Sequence, residues 1–162
     1  MNTETGITIH EVQVDTFERF DEVLELLRQS FAYMDGRIDP PSSLHRIDLL
    51  ALIEKARQET VFVAVFGKQI VGCVFASRQE ECIYLGKLAV SDAYRGRGIA
   101  RCLIECVENI AAQSSTRCVD IETRVELTEN QRLFEHLGYV RWAENSHEGY
   151  TRTTSIRYRK PL

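Results

Sequence analysis

The 162-residue sequence contains no apolar run near the ~20 residues that a membrane span requires. Its start, Met1 to Gly6, is polar and lacks the apolar core of a secretory signal. There is no internal repeat, low-complexity stretch or long linker. Positive charge is not in excess, since 20 Lys and Arg stand against 24 Asp and Glu, giving a net charge of -4. That balance argues against a general nucleic-acid binder, which presents a basic face. The five cysteines form no Cys-x-x-Cys, and Cys102 and Cys106, on one helix face, have no nearby His to complete a zinc set. They are expected to be reduced and to pack as small apolar residues, with no metal site. A cytoplasmic protein with one domain over residues 1–162 is the expectation, large enough to bury a core without metal or disulfide.

What is present is an alternation of strand and helix signals. Ile7 to Val14 reads as a strand. Phe17, Phe20, Leu24, Leu27 and Phe31 follow at helical spacing, with Asp15 or Thr16 as cap. Met34 to Ser43, with two prolines and a glycine, is a loop, and Ser42 or Ser43 can cap a second helix to about Gln58. Val61 to Phe66 and Ile70 to Ser77 are strands around a Gly67-Lys68 turn. Cys82 to Val90 is a strand interrupted by Gly86, a sign of a bulge or close approach. A helix from Gly98 carries the stripe Ile99, Leu103, Cys106, Val107 and Ile110, and Cys118 to Thr123 is a strand. Thr128-x-x-Gln131 reads as a capping box for a short helix ended by Gly138. Tyr139 to Ala143 and Thr153 to Arg159 complete a mixed α/β sheet.

The chemistry is concentrated in Leu85 to Arg101. A strand enters a turn with Gly96 and Gly98, and an amphipathic helix leaves it. The first amides of a helix have no intrahelical partner and sit at its positive end. Gly96 and Gly98 let an anion approach, and Arg95, Arg97 and Arg101 add positive charge, so the turn suits a pyrophosphate. No third glycine completes a dinucleotide fingerprint, and no Walker-type Gly-Lys-Ser/Thr is present. Taken alone, the turn reads equally well as a solvated surface turn.

The wider stretch resembles the acetyl-CoA motif of the GNAT superfamily of N-acetyltransferases. Arg95, Gly98 and Ala100 match its Arg/Gln-x-x-Gly-x-Gly/Ala pattern, and Leu88-Ala89-Val90 matches the strand before it. Asn130 to Tyr139 matches the second family motif. The resemblance is firm over Val61 to Ala143 and loose over the N-terminal helices. It implies an α/β, single-domain GNAT-like fold: a mixed sheet of about six to seven strands with splayed middle strands and about four helices. It further implies that Leu88, Ala89 and Val90 pair with the pantetheine arm, at a bulge made cheap by Gly86. Backbone N–H groups near Leu88 would face the thioester oxygen. Arg95, Gly96, Arg97, Gly98, Ile99 and Ala100 would hold the pyrophosphate, and Asn130 and Phe134 would share the cofactor side of a helix.

Phe134 departs from the pattern, because many relatives carry Tyr there as proton donor to the departing thiolate. Tyr84, Tyr139 and Tyr150 are candidate replacements, each also explained as a packing residue. Glu122 is the first candidate base, expected to be partly buried, against the alternative of a solvent-facing strand residue. His136 and His147 are weaker candidates, and a water chain is a further route. Arg37, Asp39, Ser42 and Ser43 are candidate acceptor contacts, or simply a capped loop. The C-terminal segment can fold over the acceptor pocket, while Arg152, Arg157, Arg159 and Lys160 read more simply as protection of an edge strand. The implied activity is acetyl transfer from acetyl-CoA to an amine acceptor, without nucleic-acid or membrane partners. Family precedent leaves a homodimer open. The rival reading is a catalytically weak acyl-CoA sensor or interaction module.

Overall fold

The computed structural model describes residues 6–162; the polar start before Gly6 lies outside them. Seven strands form one mixed sheet in the order β1-β2-β3-β4-β5-β7-β6. They are β1 (Ile7–Glu11), β2 (Thr60–Phe66), β3 (Gln69–Arg78), β4 (Ile83–Val90), β5 (Cys118–Arg124), β6 (Val140–Asn145) and β7 (Ser155–Pro161). Four α-helices complete the fold: α1 (Phe20–Phe31), α2 (Leu49–Gln58), α3 (Ile99–Gln113) and α4 (Thr128–His136). This is the expected order of elements, with several boundaries moved for local reasons.

α1 starts at Phe20 with no side-chain cap, because Asp15 and Thr16 belong to a preceding turn that leaves Phe17 edge-on to Phe20. The second helix is divided. Ser42 caps a short 3-10 turn over Ser43–Arg46, and Asp48 caps α2 by accepting from the Ala51 amide. The expected capping box at Thr128 does not form. Leu127 takes the cap position, and the Gln131 amide donates to the Arg124 and Val125 carbonyls. Gly67 turns the β2–β3 hairpin as expected, with φ of 61°.

The sheet is covered on two faces. α3 lays Ile99, Leu103, Ile104, Val107 and Ala111 onto Ile83, Leu85, Val119 and Ile121. Its buried stripe therefore includes Ile104 and Ala111, while Cys106 is only half-buried. α1 and α2 bring Val23, Leu27 and Leu52 against Val61, Val63 and Phe75 on the other face. Each fully buried aliphatic side chain stabilises the fold by roughly 1.5–3 kcal/mol.

Two features shape the middle of the sheet. β4 pairs in parallel with β5 through only Ile83–Val119, Tyr84–Asp120 and Leu85–Ile121, after which the strands diverge. On its other side β4 pairs with β3, but Cys73 faces Ala89 while Phe75 faces Gly86, so Lys87 and Leu88 together oppose Val74. This is a bulge. The left-handed residue in it is Lys87, with φ of 45°, rather than its neighbour Gly86.

Two sequence expectations are corrected. Cys82 and Cys118 are joined by a disulfide, with Cα atoms 4.9 Å apart, while Cys73, Cys102 and Cys106 are free. The partners stand beside each other because each lies immediately before the first β4–β5 pair, Ile83–Val119. β7 is not an edge strand but lies between β5 and β6. Its charges serve ion pairs: Arg159 with Asp120 and Glu81, Arg157 with Asp120 and Glu122, and Lys160 with Glu108.

Candidate active site

The divergence of β4 and β5 opens a cleft of about 490 Å³. β4 lines it from Tyr84 to Val90, β5 contributes Ile121 and Glu122, and α4 contributes Asn130, Leu133 and Phe134. The turn before α3 contributes Tyr94, Arg95, Gly96 and Gly98, and α3 contributes Ile99, Ala100 and Arg101. Leu88 to Val90 have no partner on the β5 side. No strand covers their backbone edge there, so it can pair with an extended ligand as an open sheet edge does, apart from the Val90 carbonyl, which accepts from Ser30.

The turn is built by two left-handed glycines, Gly96 and Gly98, each with φ of 78°. An L side chain adopts that region only at a cost. Gly98 is the cap residue of α3, and no side chain fills the cap. The first internal bond runs from Cys102 N–H to the Gly98 carbonyl, leaving the amides of Ile99 to Arg101 for an external acceptor. No neighbouring atom lies within 4 Å of where a Cβ would stand on either glycine, so the space before these amides is open. The donor set and the open space fit a diphosphate. The arginines differ in what they offer. Arg95 pairs with Asp92 at 3.0 Å and lies over the Tyr33 ring. Arg101 pairs with Glu105 at 3.3 Å. Arg97 stacks on Tyr94 and stays outside the cleft lining.

At the branch point of the two strands, Tyr84 and Glu122 face the cleft from β4 and β5. Burial pushes the Tyr84 phenol up to about 12, with the negative charge of Glu122 acting in the same direction. The Arg157 guanidinium lies over its ring. Glu122 is partly buried, and its carboxylate accepts from the Ser155 hydroxyl and pairs with Arg157 at 3.5 Å. Asn130 reaches Thr123 at 3.4 Å, and Phe134, 6% exposed, packs its ring near Tyr139 and Tyr158.

The structure keeps Tyr139 out of the cleft. Its hydroxyl is buried toward α3 and donates to Glu108 at 3.0 Å, a bond that adds to burial in raising its pKa. Tyr150 is also absent from the lining and donates to Asp39. Arg37, Asp39, Ser42 and Ser43 do not line the cleft either. Arg37 pairs with Glu129 at 2.8 Å, Ser42 caps its 3-10 turn, and Ser43 begins that turn. Asp39 is held by Tyr150 and Arg152, and the hydrogen bond from Tyr150 is the main cause that keeps its carboxyl below the usual range. Arg124 ties the same loop to β5 through the Pro40 and Pro41 carbonyls. The loop and the β6–β7 connection are thus strapped together. His136 and His147 do not line the cleft.

Sequence reasoning missed Ser30, Phe31 and Tyr33, which bring the end of α1 and the 3-10 turn after it to the cleft, and Lys87 in the bulge. Ser30 donates to the Val90 carbonyl at 3.3 Å. Phe31 was visible as part of an apolar stripe, but nothing local marks its neighbours as cleft residues. Among the described residues there is no group of three or more His, Cys, Asp or Glu suited to a metal, and no helix long and apolar enough to cross a membrane.

Comparison with known proteins gives a consistent result. A family model described as the Acetyltransferase (GNAT) family matches residues 20–139. The chain is 31% identical over 106 residues to an N-acetylaspartate synthetase of Danio rerio, covering 64% of this chain and 37% of the relative. It is 36% identical over 58 residues to N-alpha-acetyltransferase 30 of Saccharomyces cerevisiae, covering 36% of this chain and 33% of the relative. The chain thus spans about a third of the length of these curated relatives. Among solved structures, a GNAT family acetyltransferase from Elizabethkingia anophelis with acetyl-CoA bound has the same fold, with a TM-score of 0.70 at 18% identity over 97% of this chain and 99% of that one.

Proposed function

The chain belongs to the GNAT acetyltransferase family, and from that premise we propose that it transfers the acetyl group of acetyl-CoA to an amine by direct attack on the thioester. The observation that carries this reading is the meeting of the unpaired edge of β4 with the open, glycine-built start of α3. Acetyl-CoA, as co-substrate, supplies an activated acetyl group. The amides of Ile99 to Arg101 grip its diphosphate, and the backbone of Leu88 to Val90 aligns its pantetheine arm. Backbone N–H groups at the bulge face the thioester oxygen, where negative charge develops during attack.

An alkyl amine of pKa about 10 must lose a proton to become nucleophilic. Glu122 accepts it, from the β5 side of the cleft. Tyr84 faces the departing sulfur from β4. Its phenol is pushed up to about 12 and stays protonated at neutral pH. A thiolate whose conjugate acid has a pKa of about 8.5 is a weaker base than that phenolate, so Tyr84 donates a hydrogen bond rather than a whole proton. Phe134 contributes shape alone.

The acceptor is a small molecule or a protein amine. Arg37 and Asp39, with their present partners, act in this reading by shaping the entrance, and Ser42 and Ser43 by fixing the loop. The second reading, a sensor that binds acyl-CoA without turnover, is favoured by Phe134, which has no proton to give and is buried. Titration with CoA in a calorimeter, followed by thiol release from acetyl-CoA across a panel of amines, separates the readings. Binding with thiol release supports the transferase, binding without release on any amine supports the sensor, and no binding removes both.

A further inference from the structure

The Cys82–Cys118 disulfide sits where the cleft is hinged. Cys82 directly precedes β4, and Cys118 begins β5. Only three residue pairs hold these parallel strands together before they part around the cleft. The bond is therefore a fourth tie, at the closed end. It also makes a covalent ring of the segment from Cys82 to Cys118, which contains β4, the glycine turn and α3. The parts assigned above to the pantetheine arm and the diphosphate all lie on this ring.

The two cysteines differ in exposure. Cys82 is 1% exposed, whereas Cys118 is partly exposed. The backbone beside the accessible partner is strained, since Arg117 has φ of 52° without being glycine. We infer that Cys82–Cys118 is a thiol–disulfide exchange site whose oxidised form holds the cleft ready for CoA and whose reduction by a dithiol weakens CoA binding. A thiolate of the dithiol attacks the Cys118 sulfur, the S–S bond breaks, and Cys82 leaves as a thiolate that takes up a proton. The second thiol of the reductant then attacks the mixed disulfide and releases Cys118. The protein gains two electrons and two protons, and the dithiol becomes a cyclic disulfide. With the ring open, the angle between β4 and β5 is set by three residue pairs and the packing of α3 without the covalent tie, and the cleft loses preorganisation.

This inference rests on the CoA reading of the cleft, and one experiment tests the two separately. Wild-type protein is prepared in oxidised glutathione or in dithiothreitol, its thiols are titrated after unfolding, and CoA binding is measured calorimetrically in each state. The expected thiol count is three when oxidised and five when reduced, with the five cysteines as given by the sequence. The expected Kd for CoA rises about three- to tenfold on reduction, the size of a modest loss of preorganisation. By reciprocity, saturating CoA raises the dithiol concentration needed for half-reduction by the same factor. A Cys82→Ser/Cys118→Ser protein, checked for folding by circular dichroism, shows the weaker affinity and no response to dithiol. Five titratable thiols after oxidation, or equal CoA affinity in both states, overturns the inference alone. Absence of CoA binding in both states overturns the reading of the cleft and this inference with it.

Discussion

Replacing Gly98 by alanine and by glutamate separates backbone strain from charge at the turn before α3. Both side chains are forced into φ of 78°, which costs about 1–2 kcal/mol in either variant. Neither Cβ meets a neighbour within 4 Å, so packing adds nothing and the two proteins should lose similar stability. What differs is a carboxylate aimed at the space before the free amides. Two unit charges about 4 Å apart repel by roughly 1 kcal/mol in water and about 4 kcal/mol at the effective dielectric of a protein surface. Gly98→Glu should therefore bind CoA some five- to a thousandfold more weakly than Gly98→Ala, because about 1.4 kcal/mol corresponds to a factor of ten. The gap should narrow as salt is raised toward 1 M, where the screening length falls to about 3 Å. The assay is calorimetric titration with CoA at two salt concentrations, with melting temperatures as the control for strain. Equal affinities for the alanine and glutamate variants, in folded proteins, would refute the placement of the diphosphate on these amides.

Three further outcomes follow from the same geometry. Glu122→Gln should lower kcat by ~10²–10⁴-fold, the usual contribution of a general base, while CoA affinity stays near wild type; an unchanged kcat on a reactive amine removes Glu122 from proton transfer. Tyr84→Phe should slow turnover, and because burial raises this phenol to about 12, wild-type activity should show no alkaline decline from Tyr84 below about pH 11. A decline centred near pH 9 that vanishes in Tyr84→Phe would contradict that environment. Tyr139→Phe should cost about 1–2 kcal/mol of stability through loss of the bond to Glu108, yet leave acetyl transfer intact; loss of activity in a folded Tyr139→Phe protein would bring that residue back to the chemistry.

What the sequence made legible was local. The left-handed glycines of the turn and at Gly67 announce themselves because few other residues tolerate those angles, and the stripes of α1 and α3 follow from periodicity. The pairing of Cys82 with Cys118 was hidden because it depends on two strands becoming neighbours across 36 positions. The end of α1 reaches the cleft only through the packing of that helix on β4, so Ser30 and Tyr33 carry no local mark. Tyr139 looked suitable by its place in a motif, but its ring turns inward, where Glu108 of α3 receives the hydroxyl. The charges of β7 suggested an exposed edge, and strand order cannot be read from one strand's composition. Thr128 and Gln131 have the spacing of a capping box, but a buried Leu127 holds the helix entry instead.

The extra residue in β4 also decides which way the rest of that strand looks. Ile83 and Leu85 point toward α3, and strict alternation would send Lys87 and Ala89 the same way. With two residues opposite Val74, the parity changes: Leu88 and Val90 join the α3 side, and Ala89 turns to the α1–α2 side. Straightening the bulge with every residue kept would turn the far half of the strand inside out, pressing a lysine into oil and leaving two aliphatic side chains on the wrong side of the sheet. The bulge thus decides which aliphatic side chains of β4 meet α3 beside the cleft, a choice made by the backbone and not by any one side chain.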